Sequence, residues 1–146
     1  MDQLIKTLRV AFASQYSYLL NAQNFHWNVE GADFSQYHNL FGRIYEEVQE
    51  SIDDFAENIR KLGAYTPANF ASFENISLIK NVTSDPPPAA MDMVAMLMED
   101  SVKMAELCGM VVELSEQNKQ YGLTDFLSGR QDAFKKHEWM LKSTLK

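Results

Sequence analysis

The stretch DFSQYHNLFGRIYEEVQESIDDFAENIRKLG, Asp33 to Gly63, decides the fold class. Its apolar residues, Phe34, Tyr37, Phe41, Ile44, Val48, Ile52, Phe55, Ile59 and Leu62, recur at steps of three or four. That period marks one face of an α-helix. Both ends carry matching signals. Asp33, with Gln36 three residues on, makes a capping-box arrangement. Arg60 and Lys61 fall in the last turn, where cations suit the helix dipole, Gly63 is a natural stop, and Pro67 follows.

The same period extends on both sides. A first segment, from about Asp2 to Phe25, places Leu4, Leu8, Phe12, Tyr16, Leu19 and Gln23 on one face, and Asn28 to Gly31 reads as a turn. From Ala64 to Asp85 the pattern is irregular, with a short helix expected around Ala68 to Phe73. The prolines 86–88, preceded by Ser84 or Asp85, open a third long helix that runs to about Lys119. Its expected buried stripe is Met91, Val94, Met98, Val102, Ala105, Cys108, Val112 and Ser115. Thr124 is expected to cap a fourth helix bearing Leu127, Phe134, His137, Leu141 and Leu145. No segment alternates with the period of a strand. Two helix pairs joined by a connection of roughly twenty residues suit a bundle with one long crossover, the arrangement of ferritin-like folds. The fold expected is therefore all-α: a ferritin-like four-helix bundle whose long crossover contains a short helix, forming a single domain over residues 1–146.

Composition fits one globular domain: 146 residues, 46% apolar and 23% charged. Polar residues interrupt every apolar stretch, so no membrane span is expected. The chain begins Met-Asp-Gln, without the basic start and apolar run of a secretion signal, and Cys108 is its only cysteine. A cytoplasmic location is the expectation, because a reducing compartment has no use for a disulfide framework. The net charge of −7 favours cations over nucleic acid.

Three features carry chemistry: His26-Trp27, His38, and the pair Asp53 and Glu57, one helical turn apart. At about 100° per residue, Glu46, Glu50, Asp53 and Glu57 fall within about 60° of one another, on the side away from the apolar stripe. An acidic stripe there is also what an ordinary solvated face looks like, and a lone histidine is commonly structural. Geometry sharpens the alternative. His38 and Asp53 are 15 residues apart, about 22 Å along one continuous helix. A single ion bound by both must therefore be shared by two chains. An antiparallel two-fold contact between second helices would create two such sites, one at each end. Mixed carboxylate and imidazole donors without thiolates suit Fe(II) or a similar divalent ion.

The segment Phe25-His26-Trp27-Asn28-Val29-Glu30-Gly31, followed by Phe34, His38, Phe41, Tyr45-Glu46-Glu47 and Asp53…Glu57, resembles the ferroxidase signature of the Dps family (DNA-binding protein from starved cells). Its spacings of 12, 15 and 4 residues from His26 through His38 and Asp53 to Glu57 match as well. So do Asp125-Phe126-Leu127 and Lys136-His137-Glu138-Trp139-Met140-Leu141 near the end. The resemblance implies a dodecameric hollow cage that oxidises Fe(II) with hydrogen peroxide or dioxygen, stores ferric mineral and protects against oxidative stress. It assigns His26 and His38 to one subunit and Asp53 and Glu57 to its two-fold mate. Glu57 would bridge two irons, and Asp53 with His26 would hold the tighter one. Trp27 stands where the family keeps an aromatic residue beside the iron, with plain packing as its other reading. Asp125 corresponds to a three-fold pore position, or simply favours a helix N-terminus. One position departs: four residues after His38 the family commonly has Asp, whereas this chain has Gly42. The second iron is then left with His38, Glu57 and water.

DNA binding in this family often uses a Lys-rich extension. Here the first helix begins almost at Met1, and only Lys135, Lys136, Lys142 and Lys146 make the last helix basic. DNA binding is expected to be weak or absent. His137, in phase with Phe134 and Leu141, reads as a core or interface residue rather than a metal ligand, and the methionines of the third helix read as adaptable core rather than a haem or copper site. A nucleoid-binding shell with little iron chemistry and an inert helical assembly remain as alternatives.

Overall fold

A computed structural model describes all of residues 1–146. The elements are α1 (Asp2–Asn28), α2 (Phe34–Glu50), α3 (Ile52–Lys61), α4 (Phe70–Ile76), α5 (Ala90–Gln117) and α6 (Tyr121–Thr144). There are no strands. Helix α1, the α2–α3 run, α5 and α6 form the four-helix bundle, and α4 is the short helix of the crossover. No helix is long and apolar enough to cross a membrane.

The crossover is long because the chain must travel the length of the bundle. Tyr37, in the first turn of α2, donates its hydroxyl hydrogen to Met91 Sδ at the start of α5 (3.2 Å), so those two ends are neighbours. Phe55 of α3 meets Phe126 of α6 edge-on at 5.6 Å, at the opposite end. The return path is fixed by polar groups on α1. Leu78 N–H donates to Ser14 Oγ, Asn81 Nδ2 to the Ser17 carbonyl, and Val82 N–H to Asn21 Oδ1, at 2.9, 2.9 and 3.1 Å. The connection thus climbs α1 in register, which gives backbone donors outside any helix the partners they need.

The core is one cluster holding Leu4, Leu8, Tyr18, Phe25, Phe41, Ile44, Phe55, Ile59, Leu97, Met104 and Phe134, each 0% exposed. Each such side chain contributes roughly 1.5–3 kcal/mol by leaving water. Tyr18 meets its hydrogen-bonding need inside that core through Ser101 Oγ at 2.8 Å.

Five expectations need correction. The Asp33–Gly63 helix is interrupted at Ser51. The Ser51 hydroxyl donates to the Val48 carbonyl (2.7 Å) and accepts from Gln15 Nε2 (2.9 Å), a serine back-bond that disturbs the helical ladder. Asp33 precedes α2 but makes no side-chain capping bond; its carbonyl alone receives Gln36 and Tyr37 N–H. Helix α5 begins two residues beyond the prolines and buries Met93, Leu97, Ser101, Met104 and Val111 together with Val94, Ala105, Cys108 and Ser115, while Met91 is 43% exposed. Thr124 lies inside α6, where its hydroxyl pairs with Ser115 Oγ at 2.6 Å instead of capping the helix. The short crossover helix starts at Phe70, capped by the Asn69 side chain, which accepts from Ser72 N–H at 2.8 Å.

Candidate metal centre

His26 occupies the last turn of α1 and His38 the second turn of α2. The tight connection through Gly31, at φ +119°, folds one helix back on the other. The two imidazoles stack with centroids 3.8 Å apart and planes 16° off parallel. Each ring is anchored to the other residue's backbone: His26 Nδ1 to the His38 carbonyl and His38 Nδ1 to the His26 carbonyl, both 2.6 Å. A carbonyl oxygen only accepts, so each Nδ1 must carry the proton. In the neutral imidazole Nε2 is then a bare lone pair, the form a metal ion needs. Phe34 extends the stack from the far side of His38 (5.0 Å, 23°), and Tyr45 leans on His26 at 5.2 Å.

Gly42 forms the floor. A Cβ at this position would lie 2.9 Å from His26 Cε1 and 3.0 Å from Nδ1. The first is closer than real Cβ contacts come and the second is tighter than most of them, so the His26 ring would have to shift slightly.

The acidic half stands apart. Asp53 and Glu57 lie in α3, both exposed, as are Glu46 and Glu50 on the preceding run. Within one chain no point gathers three or more His, Cys, Asp or Glu side chains suitable for a metal ion. The fold thus brings His26 to His38 and leaves Asp53 and Glu57 facing outward. Glu57 borders an apolar cleft of about 710 Å³ walled by Phe12, Ile52, Ala56 and Phe70, with Phe70 82% exposed. Trp27, next to His26, is 61% exposed, so packing within its own chain does not account for it.

A second polar cluster spans the bundle. Arg130 of α6, 5% exposed, donates from both terminal nitrogens to the Glu47 carboxylate, and from Nε to Gln15 Oε1 at 3.2 Å. His137 Nε2 donates to Glu47 Oε1 at 2.8 Å. Burial works to raise the Glu47 carboxyl, but the hydrogen bonds from His137 and Arg130 outweigh it and hold the group down at about 2. His137 is buried in the core, as its phase indicated. Arg130 went unread, although it falls between Leu127 and Phe134 on the same stripe. A charge in phase with a core stripe signals a buried ion pair. Gly42 carried a comparable signal: glycine inside a strongly amphipathic helix marks a close approach.

A ferritin-like domain model matches residues 1–146. An uncharacterized low temperature-induced protein of Nostoc sp. is 31% identical over 141 residues, which is 96% of this chain and 78% of the relative. Dps from Staphylococcus aureus superposes with a TM-score of 0.93 at 25% identity, covering 100% of this chain and 97% of that one. The Dps protein of Vibrio cholerae O1, described as a member of a broad superfamily of ferritin-like diiron-carboxylate proteins, gives 0.93 at 25% identity over 99% of this chain and 90% of that one.

Proposed function

Because this chain belongs to the Dps family of the ferritin-like superfamily, we propose that it is a ferroxidase and iron-storage subunit whose metal sites are completed by a second copy. The observation that supports this most is the reciprocal His26–His38 pair. Two imidazoles locked as Nδ1–H tautomers have no packing reason to keep both Nε2 lone pairs free. Divalent iron gives them one.

Asp53 and Glu57 of the two-fold mate supply the negative charge, since the same chain's carboxylates lie about 22 Å along the helix run. The cleft beside Glu57, with Phe70 uncovered, is apolar surface of the kind that assembly buries. Glu57 bridges two Fe(II) ions, and Asp53 with His26 holds the tighter one. Each Fe(II) gives one electron to hydrogen peroxide. The O–O bond breaks, two protons are taken up, and two Fe(III) and two waters result. The ferric product mineralises inside a dodecamer, which removes both iron and peroxide from the cytoplasm. Trp27 stands beside His26 and takes up a stray oxidising equivalent. DNA contact is weak or absent, because each chain carries a net charge of −7 that a cage multiplies.

The test mixes two inactive parents: a His26→Ala/His38→Ala subunit and an Asp53→Ala/Glu57→Ala subunit. A mixed two-fold interface holds one intact site and one fully stripped site, so part of the Fe(II) oxidation rate returns on co-assembly. Verified mixed particles with no recovery would refute the shared site.

A further inference from the structure

Hydrogen peroxide takes two electrons, and one Fe(II) supplies only one. With His26 and Asp53 holding the tighter iron and Gly42 adding no ligand for the second, a site meets peroxide at times with a single iron bound. The missing electron must then come from the protein. Tyr45 stands where it can be taken. It lies in α2, one turn beyond Gly42, and its ring leans on the His26 imidazole with centroids 5.2 Å apart and planes at 58°. The side chain is half-buried against the core, and its hydroxyl bonds to no group of the chain, so its proton has a way out to solvent. Other aromatic residues are placed differently. Trp27 follows His26 directly, but adjacent residues on a helix point about 100° apart. Its outward ring, 61% exposed, suits an equivalent that has already escaped. Tyr37 has its hydroxyl on Met91 Sδ. Tyr18 is fully buried and tied to Ser101, and burial pushes its phenol far above the usual range, so it keeps its proton.

We propose that Tyr45 is the electron donor that completes peroxide reduction when the site holds one iron. This rests on the iron-site reading and adds a reacting residue to it. Fe(II) gives one electron. The Tyr45 hydroxyl gives the second together with its proton, and one more proton comes from solvent. The O–O bond breaks and two waters leave, with Fe(III) and a Tyr45 phenoxyl radical remaining. The next Fe(II) to arrive returns an electron to the radical, a proton follows from solvent, and Tyr45 is restored. Two Fe(II) are thus oxidised per peroxide, one after the other, and no hydroxyl radical is released.

The experiment loads the assembled protein anaerobically with one Fe(II) per site, adds one equivalent of hydrogen peroxide and freezes the mixture for electron paramagnetic resonance. Wild type gives a phenoxyl signal that narrows when the protein carries ring-deuterated tyrosine, and a second Fe(II) removes it. Tyr45→Phe keeps the ring and its packing, loses most of that signal and yields more spin-trapped hydroxyl radical. Trp27→Phe retains the tyrosine signal. So does Tyr121→Phe, whose exposed ring lies beside Asn58 and Lys61 at the other end of the bundle. An undiminished tyrosine signal in Tyr45→Phe overturns the proposal, as does a wild type that forms Fe(III) with no tyrosine signal. A wild type that oxidises Fe(II) no faster than His26→Ala/His38→Ala overturns the iron reading itself, and the proposal falls with it.

Discussion

Glu47 shows how one residue ties stability to pH. Its folded carboxyl is held at about 2, below the ordinary value of 4.5, so the folded state favours the ionised form. The linked stability is fully present above about pH 4.5 and is lost as pH falls through that value toward about 2. The side chain is 38% exposed, so solvent screening limits the effect to about 1 kcal/mol. Urea unfolding between about pH 6 and pH 3 should show wild type losing stability relative to Glu47→Gln; parallel curves would mean that the pair adds nothing. Arg130→Met removes the buried partner and leaves the carboxylate with His137 alone. A loss of about 2–3 kcal/mol at neutral pH is expected, part of it recovered when Glu47→Gln is added. Cys108, fully buried, has its thiol pushed up to about 12 by burial. It should stay unreactive toward disulfide reagents until the protein unfolds. At this scale residue type was legible where a local pairing carried it: His26 and His38, named by what they can donate, are the two that the fold brings together. Gly42 and Arg130 were not, because their meaning lies in a neighbour brought from another helix, and one helix's periodicity holds no information about that.

Helix ends illustrate the same division between local and distant causes. Helix α5 closes on a Schellman motif: Gln120 N–H returns to the Ser115 carbonyl at 2.8 Å and Lys119 N–H to Glu116 at 3.0 Å. The motif needs a left-handed residue, and Lys119 supplies it at φ 58°. Lysine pays a steric penalty there that glycine avoids. Lys119→Gly should therefore stabilise the protein by up to about 1 kcal/mol, since some of the gain is offset by the freer unfolded chain; thermal unfolding checks this, and a loss would contradict the assignment. Gly63, at φ +90°, ends α3 in the same way and was readable as a stop, because glycine announces the conformation that lysine conceals. The phase of α5 was harder. This helix packs on both α1 and α6 and carries apolar residues nearly all round, so several stripes satisfy its periodicity. The one adopted includes Ser101, a polar residue chosen by the Tyr18 hydroxyl of α1. Ser51 likewise breaks the second long helix through Gln15 of α1, a partner 36 residues away in sequence.

In the whole molecule, the single chain keeps the His26–His38 pair apart from Asp53 and Glu57 and leaves Phe70, Tyr65, Trp27 and Leu78 at least 60% exposed. Under the proposed shared site, metal binding and assembly cannot be separated. If the ion lies between His26 and His38 of one subunit and Asp53 and Glu57 of its mate, it binds the dimer far better than the monomer. Linkage then requires the reverse: metal must stabilise the two-fold contact by the same free energy that the contact adds to metal affinity. With Co(II) at about 100 times its dissociation constant, each occupied site adds about 2.7 kcal/mol, and the two sites of one interface about twice that. The midpoint of subunit dissociation in mild denaturant, followed by light scattering, should shift upward with Co(II) and become steeper in metal concentration than a single site allows. Asp53→Asn/Glu57→Gln should abolish the shift while leaving the metal-free midpoint unchanged or slightly higher, because the two carboxylates of each site no longer repel each other. A monomer, trapped by dilution, that binds Co(II) as tightly as the assembly does would show that the ion is held within one chain. The separation of His38 from Asp53 along one helix run argues against that result.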